Sequence, residues 1–353
     1  MTQYNSILEA FVKLGRFLGD YVETKQSGRE LTSAWSTELD RLVSQAKHHN
    51  GWFTEENLLF ALHGWSEQLT QDTLEAWLSG YQISDLRPMR VAIIMAGNIP
   101  LVGFHDFLAA LMTGNAILAK LSSNDAQLLP FLTRYLIHQE PLFEQKIQFT
   151  DTKLENFDAV IATGSTNTSR YFEHYFGKYP NIIRRNRNSV AVLTGKESQA
   201  QLTALGEDIF RYYGLGCRSV SKIFVPEGYD FNRLFEAIYT YRNVIDSAKY
   251  ANNYDYNKAV YLMSEFKILD NGFLILKEDE NYASPIASLF YETYSAIESI
   301  KQRLFNDSDK LQCVVSEGVL SSEVAFGATQ SPNLSDYADG VDTVEFLLKT
   351  SQI

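Results

Sequence analysis

The spacing of apolar positions changes once along the chain, near residue 87. Before that point the rhythm is helical. Ile7, Phe11, Leu14 and Leu18 recur at three- and four-residue intervals, which puts them on one face of a helix. Thr54 precedes EENLLFALHGW and reads as an N-cap, its hydroxyl accepting an orphan backbone N–H. TQDTLEAWLSGY (70–81) predicts another short amphipathic helix. All four tryptophans, Trp35, Trp52, Trp65 and Trp77, fall in this stretch and are read as packing anchors.

After Arg87-Pro88 short apolar runs alternate with amphipathic segments. RVAIIMA (90–96) suits a strand buried on both faces. A helix is expected over about 103–113, followed by NAILAKL (115–121) as a strand and a helix over 125–138. FDAVIAT (157–163) predicts a third strand, TSRYFEHYF a helix, and SVAVLTG (189–195) a fourth strand. A helix over 199–213 and SKIFVPE (221–227) as a fifth strand complete the series. Such alternation argues for a parallel α/β sheet. Beyond 228 the pattern loosens through KAVYLM and GFLILKE and suggests a second α/β lobe. The expected organisation is a helical segment (1–86), an α/β domain (87–210) and a second α/β domain with a C-terminal arm (211–353).

Composition narrows the classes. With 353 residues, 45% apolar and 21% charged, the chain has the make-up of a globular protein of about two domains. The net charge of −12 argues against a broad nucleic-acid or anionic-membrane surface. The apolar stretch 101–119 has the length of a membrane span, but His105, Asp106, Gly114 and Asn115 interrupt it, so a buried helix ending at the Gly114-Asn115 turn is expected. Two cysteines cannot build a disulfide framework, and no secretory signal is visible in the first residues; a cytoplasmic setting is expected.

Ligands of open α/β sheets bind beyond the carboxyl ends of the strands. Cys217 comes after Gly214-Leu215-Gly216 and is the one strong nucleophile candidate, with an inert buried cysteine as the alternative. ATGST (162–166) is either a phosphate cradle at a helix N-terminus or a plain turn. Asn98 would donate to an oxyanion or cap the next helix. Lys178, Arg184, Arg185 and Arg187 would meet a polyanionic substrate or form a solvated face. The six histidines show no zinc-ligand spacing, and no GxGxxG comes after a strand.

The ordered set GNIP, GNAILAKLSS, ATGST and GLGC before a strand resembles the aldehyde dehydrogenase superfamily. RYFEHYFGKYPNIIRRNRNSVAVLTG and YYGLGCRSVSKIFVPEGYDF are more closely similar to the bacterial long-chain acyl-CoA reductases. The resemblance implies a nucleotide-binding role for residues 87–210, a catalytic role for 211–353, a nucleophile at Cys217 and an oxyanion-stabilising amide at Asn98. It implies cofactor contacts from Lys120, Ser122, Ser123, Gly164, Ser165 and Thr166, no metal, and a homo-oligomer acting on acyl-CoA or another acyl thioester. Ile183 stands where hydrolytic relatives carry a glutamate base, which implies a thioester spared from water. Ser123 stands where a glutamate usually binds the ribose, which favours NADPH over NADH. Asn281 and Ala283 stand where a cofactor-contacting Glu and Phe usually lie. A carrier or acyltransferase subunit that forms the acyl-enzyme without hydride transfer is the second reading, and a silent scaffold the third.

Overall fold

The computed structural model describes residues 2–83 and 87–352. The chain packs as two compact units, residues 1–185 with 333–353, and residues 186–332.

The first unit opens with helices α1 (Thr2–Gln26), α2 (Ala34–His49), α3 (Glu55–Gln68) and α4 (Gln71–Leu78). Thr54 caps α3 by accepting from the Asn57 N–H at 3.3 Å. Next comes a parallel sheet, built from β1 (Arg90–Ile94), β2 (Ala116–Lys120), β3 (Ile147–Phe149), β4 (Ala159–Thr163) and β5 (Asn181–Arg184) in the order β3-β2-β1-β4-β5. Its connections carry α5 (Phe104–Met112), α6 (Leu128–Gln139), the short α7 (Phe143–Lys146) and α8 (Thr166–Phe176).

Alternation along β1 explains the burial on both faces. Val91 and Ile93 face a core shared with α1, α5 and α6, while Ala92 and Ile94 face a smaller cluster with Phe172 and Phe176 of α8. Helix α5 is buried almost throughout and ends before Gly114, whose φ of +82° suits glycine. Trp35, Trp52, Trp65 and Trp77 all pack on the larger core.

The second unit holds β6 (Asn188–Val192), α9 (Gln199–Phe210), β7 (Val220–Pro226), α10 (Phe231–Ile238), α11 (Ala248–Met263), β8 (Ile268–Asp270), β9 (Ile275–Glu278), β10 (Ser288–Tyr294), α12 (Ile297–Asn306) and β11 (Leu311–Val315). The sheet order is β11-β6-β7-β10-β9-β8, parallel except for β8. Strand β6, expected within the nucleotide-binding domain, pairs instead with β7 and β11. KAVYLM lies inside α11, and the apolar pattern does not predict β3, β5, β8, β10 or β11. Among the described residues no helix is long and apolar enough to cross a membrane.

Residues 333–353, expected as an arm of the catalytic domain, return to the first unit with α13 (Thr343–Thr350). The tie is polar. Asp106 in the first turn of α5 accepts from the two terminal guanidinium nitrogens of Arg184 at the end of β5, from Nη2 at 2.8 Å. Arg184 also donates to Thr343 Oγ1 at 3.0 Å. Asp106 is 3% and Arg184 6% exposed, so neither charge has water to fall back on. The basic cluster read from the sequence is therefore dispersed. Arg185 pairs with Glu173, Arg187 donates to the carbonyls of Ser308 and Leu311, and Lys178 lies over the Tyr179 ring.

Removing one partner of a buried ion pair strands the other. Asp106→Ala is expected to lower unfolding stability by about 3–5 kcal/mol, read as a fall in the urea midpoint.

Candidate active site

The first-unit sheet reverses its winding between β1 and β4. From β1 the chain moves outward to β2 and β3 on one side and to β4 and β5 on the other. Ile94 at the end of β1 aligns with Lys120 of β2 and Ala162 of β4, so three strand ends share one edge. A topological switch point with this geometry is where open α/β sheets bind nucleotides.

The expected cofactor residues line that edge. Lys120 is the last residue of β2, and its Nζ donates to the Thr152 carbonyl at 3.0 Å. Ser122 Oγ accepts from the Asn124 N–H at 3.2 Å, and Ser123 is exposed. Gly164 leaves β4 with its N–H given to the Arg184 carbonyl at 3.4 Å. Ser165 is the N-cap of α8, its Oγ accepting from the Thr168 N–H at 3.2 Å. The cradle and plain-cap readings of ATGST thus combine: the hydroxyl is spent on capping, and the dipole-positive first turn of α8 remains available to an anion. The side chain of Thr166 lies outside the described residues.

Two glycines keep this edge open to a backbone-hugging ligand. A Cβ on Gly97 would lie 2.6 Å from Ser122 Oγ, and one on Gly164 would lie 2.9 Å from the Phe172 ring. The strand ends, helix N-terminus and glycine turns together fit a dinucleotide cofactor.

Asn98 is exposed on the turn that leaves β1, and it does not cap the next helix, because the N-cap of α5 is Gly103. The turn is held from beneath. Leu101 adopts a left-handed φ of +56°, and its N–H donates to Asp125 Oδ2 at 2.8 Å. The buried amide of Asn50 donates to the carbonyls of Gly97 at 3.5 Å and Asn124 at 3.4 Å. Burial raises the Asp125 carboxyl from 3.8 to about 6, with the Leu101 N–H opposing the rise.

In the second unit Cys217 is exposed, so the inert buried alternative falls. The turn before it is unusual: Tyr212, Tyr213 and Gly214 take φ of +55°, +58° and +74° in succession. A left-handed conformation costs a non-glycine residue about 1–2 kcal/mol, and such strain gathers at functional sites. The Tyr212 side chain is buried and the Tyr213 ring stands 6.0 Å from that of Tyr250, and this packing holds the turn.

Sequence reasoning missed Lys222. It is fully buried in β7 and donates to the carbonyls of Asp279 and Glu280, each at 2.9 Å, and to Glu292 at 2.7 Å. Arg303 adds a second donor to the Glu280 carbonyl at 3.0 Å. These cations hold the loop that carries Asn281 and Ala283. Burial pulls the Lys222 ammonium below the ordinary lysine range, and Glu292 opposes that pull. A lysine inside the apolar run KIFV was the available signal. Ile183, in β5, pairs with Ala162.

Known structures share this architecture. Aldehyde dehydrogenase 21 from Physcomitrella patens, solved in complex with the reaction product succinate, aligns with a TM-score of 0.66 at 11% identity, over 98% of this chain and 88% of its own. An aldehyde dehydrogenase from Bacillus cereus gives 0.61 at 13%, over 90% and 72%. AldA, the indole-3-acetaldehyde dehydrogenase of P. syringae in complex with NAD+ and IAA, gives 0.58 at 14%, over 89% and 71%. No curated protein sequence matches the chain significantly. The fold is that of the aldehyde dehydrogenases. Residues 70–238 match the family model described as acyl-CoA reductase (LuxC).

The raised Asp125 carboxyl sets a pH dependence. The folded state favours its neutral form, so that contribution to stability is complete below 3.8 and is lost as pH rises through about 6. Asp125→Asn keeps an acceptor for Leu101 without the charge. It is expected to match the wild type near pH 4 and to exceed it by up to about 3 kcal/mol at pH 8, measured by urea unfolding across pH.

Proposed function

We propose that the chain reduces a long-chain acyl-CoA to the aldehyde with NADPH, through a thioester on Cys217. The observation that carries this reading is the exposed Cys217 thiol shortly after a strained left-handed turn, within the residues 70–238 that match the acyl-CoA reductase family model. The Cys217 sulfur attacks the thioester carbonyl. The developing oxyanion is received by the Cys217 backbone N–H, with the Asn98 amide as the second donor that the family resemblance assigns. Removing a single donor of this kind costs about 10²–10³ in rate. Collapse expels CoA as its thiolate and leaves the acyl group on sulfur. Ile183 in place of a carboxylate supports a long-lived acyl-enzyme, because no base stands there to activate water. NADPH, when bound, supplies the hydride that converts the acyl-enzyme to a thiohemiacetal, whose breakdown frees the aldehyde and restores the thiolate.

Lys120, Ser122, Ser123 and the α8 N-terminus behind Gly164 and Ser165 would hold the cofactor. An uncharged Ser123 at the end of β2 leaves a 2′-phosphate unopposed, which supports NADPH over NADH.

Incubation with radiolabelled acyl-CoA tests the nucleophile directly. Wild-type protein is expected to retain covalent label, and Cys217→Ala to lose it along with about a thousand-fold or more of the rate of NADPH oxidation. Label persisting on the alanine variant overturns the assignment. Ser123→Glu is expected to move the ratio of kcat/KM for NADPH over NADH down by about tenfold, since a carboxylate repels the 2′-phosphate and accepts from ribose hydroxyls.

A further inference from the structure

We infer that Ser189, with Cys313 behind it, is a positioning residue for Cys217; the inference rests on the proposed role of Cys217 as acyl acceptor. Ser189 is fully buried in β6, and its hydroxyl donates to the Cys217 carbonyl at 2.9 Å. That hydroxyl has one proton, and the carbonyl takes it. At the 3.0 Å contact between Ser189 Oγ and Cys313 Sγ the thiol S–H is therefore the donor. A directed relay results, from Cys313 through Ser189 to the Cys217 carbonyl.

The opposite side of Cys217 is pinned as well. The Ser219 N–H donates to the Gly216 carbonyl at 3.0 Å. That carbonyl and the Cys217 N–H share one planar peptide unit, so fixing the first aims the second. Ser219 Oγ in turn accepts from Gln330 Nε2 at 3.4 Å. One peptide plane flanking the thiol is thus set by the Gly216–Ser219 turn's own hydrogen bond, and the other by Ser189 from outside the turn.

The sheet is built irregularly at this position. Pairing between β6 and β7 steps from Ser189–Val220 to Val190–Lys222, leaving Ser221 as an extra residue. Pairing between β11 and β6 steps from Leu311–Asn188 to Val314–Val190, leaving an extra residue in the stretch that contains Cys313. Ser189 therefore faces a bulge on each neighbour. Bulges cost ladder hydrogen bonds and persist where a side chain must be re-aimed. Ser221 Oγ closes the arrangement by donating to the Tyr282 carbonyl at 2.7 Å. The two cysteines consequently have separate roles: Cys217 presents its sulfur outward, and Cys313 turns its S–H inward as a donor.

The test compares Ser189→Ala, Cys313→Ala and Cys313→Ser in the full chain by two readouts: single-turnover acylation of Cys217 by acyl-CoA, and the pH profile of Cys217 alkylation by iodoacetamide. Ser189→Ala is expected to lower the acylation rate about ten- to a hundred-fold at an unchanged KM, and to shift the alkylation profile. Cys313→Ala is expected to lower acylation less, and Cys313→Ser, which keeps a hydroxyl donor, to restore it. A folded Ser189→Ala protein with wild-type acylation and alkylation overturns the inference, as does a change confined to thermal stability. Should wild-type protein acquire no acyl label while Ser189→Ala still shifts the alkylation profile, the proposed reaction fails and the positioning relay stands.

Discussion

A parallel sheet covered on both faces has no polar surface except at its strand ends, and this constraint orders the first unit. Along β1 and β4 nearly every side chain is buried, so hydrogen-bonding groups and charge are confined to the turns beyond Ile94, Lys120 and Thr163. The reversal of strand order between β1 and β4 then parts the connections that leave these two strands, opening a crevice no side chain has to be removed to create. Glycine at 97 and 164 keeps the backbone at the floor of that crevice, where a larger residue would collide with Ser122 or Phe172.

Buried polar groups in both units hold loops rather than adding bulk stability. Asp125 and Asn50 secure the turn bearing Asn98; Lys222 and Arg303 secure the loop after β9; Ser189 secures the peptide after Cys217. Each satisfies a main-chain group of its loop, and so favours one loop conformation over its competitors. Their cost in desolvation is visible at Asp125 and Lys222, where burial moves each group toward its neutral form.

The strands β1, β2, β4, β6 and β7 were legible because a short apolar run of three to six residues flanked by polar or turn-forming residues has few other outcomes. The three- and four-residue strands β3, β5 and β8 carry too few positions for a period to emerge, and β5 contains the charged Arg184. Arg184 reads as surface in the sequence because nothing local reveals that Asp106, far away in the chain, waits at its end. The candidate site divides the same way. Cys217, Asn98 and the Gly164 turn stand out by residue type beside glycine, whereas Ser189, Asp125 and Lys222 acquire their meaning only from partners brought in by folding.

The return of α13 to the first unit makes that unit discontinuous in sequence, with the entire second unit interposed between Arg185 and Asn333. During synthesis on the ribosome, Asp106 and Arg184 emerge long before the helix that carries Thr343. The nascent first unit therefore waits, with the apolar surface meant for Val344 and Leu347 uncovered, while the second unit is translated and folds. The length of that exposure is set by the order of the elements along the chain rather than by any one contact.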